Sequence, residues 1–440
     1  MSTDHCAARP PASTFRGRGC PGRRPRGRRP ARRVGGVRRA AVLAIVAALG
    51  AVTGAAHPVE AVAAPAISAA APAAACPDQV VPPPPPADEE SAAPAPLPLP
   101  VPDEPVGGPS LGCGEIAATA APLPVIAAAS FVLADLDTGG ILATRAPHAR
   151  HRPASTLKVL TALVVLRDLD PDLVVDGTPE DLRVVGSKAG IGPGGRYTVR
   201  ELLHGLLLNS GNDTAQALAR VLGGDAAAVA RMAALARELG ALDTRPATPS
   251  GLDGPGMSSS AYDVALLYRV AMRDPLFATT IATPSVLFPG YDAEHPAFEL
   301  FNSSRLLTGY PGSLGSKTGF TDAARHTVVS AAQRDGRRLV VAVMRGENQP
   351  APLWRQAATL LDWGFAQPVG TPPVGVLVDR APAPPAATTA PVADREPVGS
   401  RPATPTTGMS AGAVLVLLGS LAGIAALALV AALVATRRRR

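Results

Sequence analysis

Lysine is the residue this chain almost does without. Of its 42 Lys and Arg residues only Lys158, Lys188 and Lys317 are lysine, which leaves 39 arginines. Arg stays protonated at any ordinary pH, whereas a buried Lys can turn neutral and act as a base. The rare lysines therefore mark places where an adjustable proton matters. Other absences narrow the field further. There is no G-x-S-x-G elbow for a Ser-His-Asp hydrolase. No glutamate lies between Glu238 and Glu294. His148 and His151 have H-x-x-H spacing, but arginines flank His151 and no carboxylate is close in sequence, so no metal and no cofactor is expected.

Cysteine is also scarce. Cys6 and Cys20 precede an apolar run at 40–56, and that run follows an Arg-rich leader and precedes small residues up to Ala64. Basic, apolar, small is the order of a secretory signal, read here as residues 1–64. Only Cys76 and Cys113 would remain, and a single pair in an oxidising compartment reads as one disulfide. A second apolar run, 411–435, carries no charge over 25 residues and is followed by Arg437 to Arg440. It is long enough to be a transmembrane helix, with 436–440 as a cytoplasmic basic tail and the catalytic part on the outer face of the cell membrane. The net charge of +7 divides as +10 for residues 1–64, +4 for the tail and −7 for what lies between. No basic patch survives in the part that folds, so nucleic acid is not an expected partner.

Between the two apolar runs the texture changes twice. Residues 65–123 are a Pro/Ala-rich extension and 371–410 a Pro/Ala-rich tether, which leaves 124–370 as one catalytic domain. Within it, 126–136 and 141–144 around Asp137-Thr138-Gly139-Gly140 predict a hairpin. Apolar residues at helical spacing predict a helix over 156–169, with Ser155 at its N-terminus. Thr198 and Glu201 form a capping box for a helix bearing Leu202, Leu203, Leu206 and Leu207. Further helices are read from about Thr214 and over 226–239, the latter capped by Asp225. Asp335-Gly336 predicts a hairpin between 326–333 and 338–344, with Lys317 on a neighbouring strand. A closing helix spans 352–365, on which Trp354 and Trp363 read as packing residues. Lys188 falls in the Gly-rich stretch 186–195 and reads as a solvated loop residue.

Ser155 and Lys158 form S-x-x-K, which on a helix places both on one face within reach of each other. A serine hydroxyl needs a base to become a nucleophile, and a Lys neutralised by burial beside another cation can be that base. The helix start also directs N–H groups toward Ser155, as an oxyanion site requires. Ser210-Gly211-Asn212 offers a hydroxyl to shuttle a proton to a leaving amine and an amide to hold a peptide bond. Lys317-Thr318-Gly319 offers positive charge and a hydroxyl for a carboxylate, and Gly319 lets backbone approach closely. Each motif alone says little. Their order, the separations of 55 and 107 residues, and the local settings of helix start, inter-helix turn and strand give the set its weight.

The segments 152–160, 203–213, 248–253 and 315–321 carry a resemblance. Residues 124–368 resemble the low-molecular-weight penicillin-binding D-alanyl-D-alanine carboxypeptidases, actinobacterial members in particular. The resemblance implies an α/β (α+β) fold of the serine β-lactamase/D,D-peptidase type, a five-stranded antiparallel sheet flanked by helices with a mainly helical subregion. It implies that Ser155 is acylated by the penultimate D-Ala of a peptidoglycan stem peptide ending in D-Ala-D-Ala, with Lys158 as general base. Ser210 would pass a proton to the leaving amine, Asn212 would hold the peptide bond, and Lys317 and Thr318 would take the substrate carboxylate. The backbone N–H groups of Ser155 and Phe320 would form the oxyanion hole, and β-lactams would inhibit. D,D-endopeptidase or transpeptidase action on the same serine is the alternative. The missing glutamate disfavours a β-lactamase, and the complete polar set disfavours a non-catalytic wall-binding protein. Two positions depart from the pattern: Leu157 where many members have Thr, and Ala324-Arg325 where many have Ala-Gly.

Overall fold

The computed structural model describes residues 96–112 and 114–382. The leader 1–64, Cys76, Cys113 and the span expected at 411–435 lie outside the described residues. Among the described residues no helix is long and apolar enough to cross a membrane.

The strands are β1 (Glu115–Ala117), β2 (Ala128–Asp135), β3 (Gly140–Arg145), β4 (Val174–Asp176), β5 (Arg196–Thr198), β6 (Ser285–Phe288), β7 (Phe298–Phe301), β8 (Ser313–Thr321), β9 (Arg325–Arg334), β10 (Arg337–Gly346) and β11 (Gly375–Val376). The helices are α1 (Lys158–Asp168), α2 (Pro179–Arg183), α3 (Val199–Leu208), α4 (Asn212–Val221), α5 (Asp225–Leu239), α6 (Ala261–Ala271), α7 (Pro275–Ala282), α8 (Arg305–Gly309) and α9 (Leu353–Ala366). The main sheet runs β1-β3-β2-β10-β9-β8 with β11 also on β3, all pairs antiparallel. Its five long strands are those expected. The two short ones share the outer edge of β3, where β1 faces Ala143 to Arg145 and β11 faces Gly140 and Ile141. That edge is thus covered by chain from both sides of the catalytic segment, which shields its unpaired backbone.

The period of two along each strand divides the core. Val132, Ala134, Val340, Ala342 and Met344 face α1 and α6, while Phe131, Leu133, Leu339, Val341 and Val343 face α9. Strands covered on both faces read as unbroken apolar runs, and each Val, Leu, Phe or Met among these side chains contributes roughly 1.5–3 kcal/mol on burial. At the β9–β10 turn Asp335 and Gly336 take φ of 50° and 79°, the left-handed pair that a two-residue hairpin needs. The capping box forms: the Glu201 N–H donates to Thr198 Oγ1 at 3.2 Å and the Thr198 N–H to Glu201 Oε2 at 2.7 Å. One cap differs from expectation. Gly224, at φ 96°, is the residue before α5, and Asp225 is its first helical residue with no capping bond. The Gly223-Gly224 turn brings the chain in one residue early, leaving the Asp225 carboxylate to favour the helix dipole instead.

The extension before residue 112 wraps onto the domain as a strap. Arg150, buried, donates to the carbonyls of Leu99 and Pro100, both at 2.7 Å, and to Asp243 Oδ1 at 2.9 Å. His148, expected to lack a carboxylate, has Asp243 Oδ2 at 2.8 Å from Nδ1 and the Val106 carbonyl at 3.0 Å from Nε2. The fold joins residues 95 positions apart, which no local reading of the H-x-x-H spacing could show. His148, Asp243 and Asp263 place ligand atoms within 4.8 Å of one another, yet Arg150 is the cation this cluster already holds. Asp243→Ala strands buried Arg150 and His148 without their carboxylate. The expected cost is about 3–5 kcal/mol, read by thermal unfolding of the full chain. A loss below about 1 kcal/mol would show that the ionic clamp does not hold the strap.

Candidate active site

The backbone around Ser155, the candidate nucleophile, is strained. Ser155 lies in a 3₁₀ turn, Ala154–Leu157, that runs straight into α1, and Ala154 takes a left-handed φ of 47°. A non-glycine residue persists there only when its surroundings hold it. The Pro153 carbonyl accepts from Thr156 Oγ1 at 2.6 Å and from Thr327 Oγ1 of β9 at 2.9 Å. Gly251 and Gly319 press on the turn so closely that a Cβ would come within 2.1 Å of the Ala154 oxygen or 2.6 Å of the Ser155 nitrogen. Gly319 thereby lets β8 lie against the Ser155 backbone, so that the chain bearing the Phe320 N–H abuts the chain bearing the Ser155 N–H.

Lys158, with no exposed surface, aims Nζ at three oxygens: Ser155 Oγ at 2.9 Å, Asn212 Oδ1 at 2.7 Å and the Ser250 carbonyl at 2.7 Å. Burial first, then the charge of Lys317, holds its pKa well below the usual lysine value. A neutral amine has two N–H bonds and one lone pair. In that state Asn212 and Ser250 would take the two N–H bonds, leaving the lone pair for the Ser155 hydroxyl.

Ser210 sits in the α3–α4 turn at φ 60° and receives a hydrogen bond from Lys317 Nζ at 2.9 Å. Lys317 is only 1% exposed, also donates to the Thr318 carbonyl at 2.9 Å, and is brought by burial to a pKa of about 7. Asn212 departs from the role expected of it. Its Nδ2 donates to the Val185 carbonyl at 2.7 Å while Oδ1 accepts from Lys158, so both ends of the amide position the base rather than hold a peptide bond. Asp213, passed over as a site residue, is fully buried and accepts N–H bonds from Ala189 at 2.8 Å and Gly190 at 2.7 Å. It ties the Gly-rich loop to the turn bearing Ser210. Its position beside the S-x-N motif was the one signal available.

Ser155, Ser210, Thr318, Gly319 and Phe320 line a single cleft of about 820 Å³. The motifs thus converge with a geometry suited to acyl transfer: a candidate nucleophile, a buried lysine of lowered pKa beside it, two candidate oxyanion donors and a second serine on a lysine. The family description D-alanyl-D-alanine carboxypeptidase matches residues 116–348. The chain belongs to the D-alanyl-D-alanine carboxypeptidase family. It is 49% identical over 250 residues to the D-alanyl-D-alanine carboxypeptidase DacB2 of Mycobacterium tuberculosis, covering 56% of this chain and 84% of that protein. It is 32% identical to DacF of Bacillus subtilis, across 54% of this chain and 62% of that protein. A solved D-alanyl-D-alanine carboxypeptidase from M. tuberculosis H37Rv matches with a TM-score of 0.57 and 46% identity, over 59% of this chain and 98% of that one. The Streptomyces K15 DD-transpeptidase matches with a TM-score of 0.53 and 29% identity, over 56% and 100%.

Against the family pattern, the Arg325 departure acquires a structural setting. Arg325 takes φ 55°, in the region that favours glycine, at a cost of roughly 1–2 kcal/mol for a residue with a Cβ. Its guanidinium pairs with both Glu347 oxygens at 2.7 and 2.9 Å and lies over the Phe320 ring at 5.7 Å. These contacts offset the strain and brace the residue whose N–H is the candidate oxyanion donor. His326 lies 4.6 Å from the same ring and completes that rim. The other departure, Leu157, is buried in the core beside α1. Trp354, on α9, packs against the core as expected and also lines the cleft, a role helical spacing does not reveal.

Proposed function

We propose that this chain is a serine-type D-alanyl-D-alanine carboxypeptidase that removes the terminal D-Ala of peptidoglycan stem peptides and is inhibited by β-lactams. The observation that carries the reading is the three-oxygen setting of Lys158, which leaves its lone pair for Ser155. Lys158 takes the Ser155 proton as Oγ attacks the penultimate D-Ala carbonyl. The N–H groups of Ser155 and Phe320 stabilise the oxyanion, and Ser210, joined to Lys317, passes a proton to the departing amine. Water then hydrolyses the acyl-serine. We further propose an enzyme held at the outer face of the cell membrane by residues 411–435, supported by the uncharged length of that segment and the four arginines after it.

The test is the intact mass of the purified full chain after mixing with benzylpenicillin, beside D-Ala release from a D-Ala-D-Ala peptide. The expected result is a persistent adduct on Ser155 and one D-Ala per peptide. Rapid drug consumption without an adduct would mean β-lactamase action, and no adduct from folded protein would overturn the catalytic reading. Likeness to the Streptomyces DD-transpeptidase favours a second reading, acyl transfer to an amine. An added glycine acceptor, traced by mass, separates the two.

A further inference from the structure

Arg305 is an exposed cation in the reaction cleft with nothing charged opposite it. It opens α8, whose capping Ser304 hydroxyl contacts that of Ser316, the residue before Lys317. The preceding Ser303 donates its N–H to the Leu208 carbonyl at 2.9 Å, just ahead of the turn that carries Ser210. The backbone at Arg305 is therefore held near the end of the cleft where Lys317 meets Ser210, the end that the Ser210 hydroxyl serves in the proposed mechanism. Among the described residues its guanidinium has no hydrogen-bond or ion-pair partner, and no Asp or Glu lines the cleft. The motif lysine does not fill that place. Lys317 is 1% exposed and spends its donors on Ser210 and Thr318. Burial also lowers its pKa, to about 7.

We propose that Arg305, a residue outside the three motifs, reads the free carboxylate of the leaving D-Ala and makes that carboxylate a requirement for turnover. A planar guanidinium matches a carboxylate with two parallel bonds, stays charged at every working pH, and gives up little existing structure when substrate arrives. The inference deepens the carboxypeptidase reading and rests on it. Thr318 supplies a hydroxyl at the same end, leaving Lys317 free to exchange its proton with Ser210.

The experiment compares the full chain with Arg305→Ala and Arg305→Lys on diacetyl-L-Lys-D-Ala-D-Ala and on the same peptide ending in a carboxamide. Wild-type release of D-Ala from the free acid speaks to the carboxypeptidase reading, and the ratio of the two substrates speaks to Arg305. Arg305→Ala is expected to lower kcat/KM on the free acid by roughly 10- to 100-fold, mostly through KM, while turnover of the carboxamide changes by less than about 2-fold. Arg305→Lys, which keeps charge without the fork, falls between. Unchanged carboxamide turnover also certifies that the variants fold. Equal losses on both peptides, or full activity of Arg305→Ala on the free acid, would overturn the assignment.

Discussion

Ser155→Ala abolishes the covalent penicillin adduct and lowers D-Ala release by roughly 10⁴-fold or more, the scale expected when a covalent nucleophile is removed. Stability is expected to change by less than about 1 kcal/mol, for a reason visible in the contacts. Removing Oγ takes away one of the three oxygens around Lys158 and leaves Asn212 Oδ1 and the Ser250 carbonyl. Those two acceptors are what a neutral amine needs for its two N–H bonds, so the buried base is not orphaned. Ala154 and Gly319 keep the turn in place, because neither depends on the hydroxyl. Intact mass after benzylpenicillin treatment, with a thermal melt of the same sample, checks both parts. An adduct of undiminished yield on the variant would place the nucleophile elsewhere.

Most of what could be read from the sequence was local. The Thr198–Glu201 box, the Asp335-Gly336 turn and the spacing of Ser155 to Lys158 each lie within a few residues, where backbone geometry ties sequence directly to structure. What could not be read depends on distant partners. Asp243 meets His148 across 95 positions, and Asn212 meets Lys158 across 54. Amide chemistry fits either a substrate or a base, and only the fold shows that Val185 and Lys158 already occupy both ends. Helix α6 was not anticipated because it is buried nearly all round, which erases the one-sided apolar stripe that marks a surface helix. Arg325 is the instructive intermediate case. The sequence shows a non-glycine where the family often has glycine, but only Glu347, from the end of the β9–β10 hairpin, and Phe320 show how it is accommodated. Arg305 belongs to no motif, and nothing local distinguishes it from the other arginines.

Lys158→Met and Lys158→Arg are expected to be almost equally inactive, each with penicillin acylation slowed by roughly 10²- to 10⁴-fold. Met removes the base. Arg keeps a positive charge but cannot lose its proton. If Lys158 served mainly to attract an anionic substrate, Arg would retain most of the rate, so the pair separates basicity from charge. The pH dependence carries the same distinction. Burial and the Lys317 charge hold the Lys158 pKa well below its ordinary value, so the amine is a competent base above that pKa, and acylation declines as pH falls through it. Lys317, brought by burial to about 7, acts in the opposite sense. As pH rises past about 7 it loses the proton that it shares with Ser210 and the charge that depresses Lys158. The acylation rate, read as kcat/KM on the free enzyme, is therefore expected to follow a bell whose alkaline limb begins near 7 and whose acid limb belongs to Lys158. In Lys317→Met the alkaline limb disappears. The acid limb moves to higher pH as well, because without the Lys317 cation Lys158 holds its proton more tightly and needs a higher pH to release it, so less base is present at any acidic pH. A stopped-flow pH series on the three variants decides this. An acid limb that stays where it is in Lys317→Met would mean that the two lysines do not share one electrostatic unit.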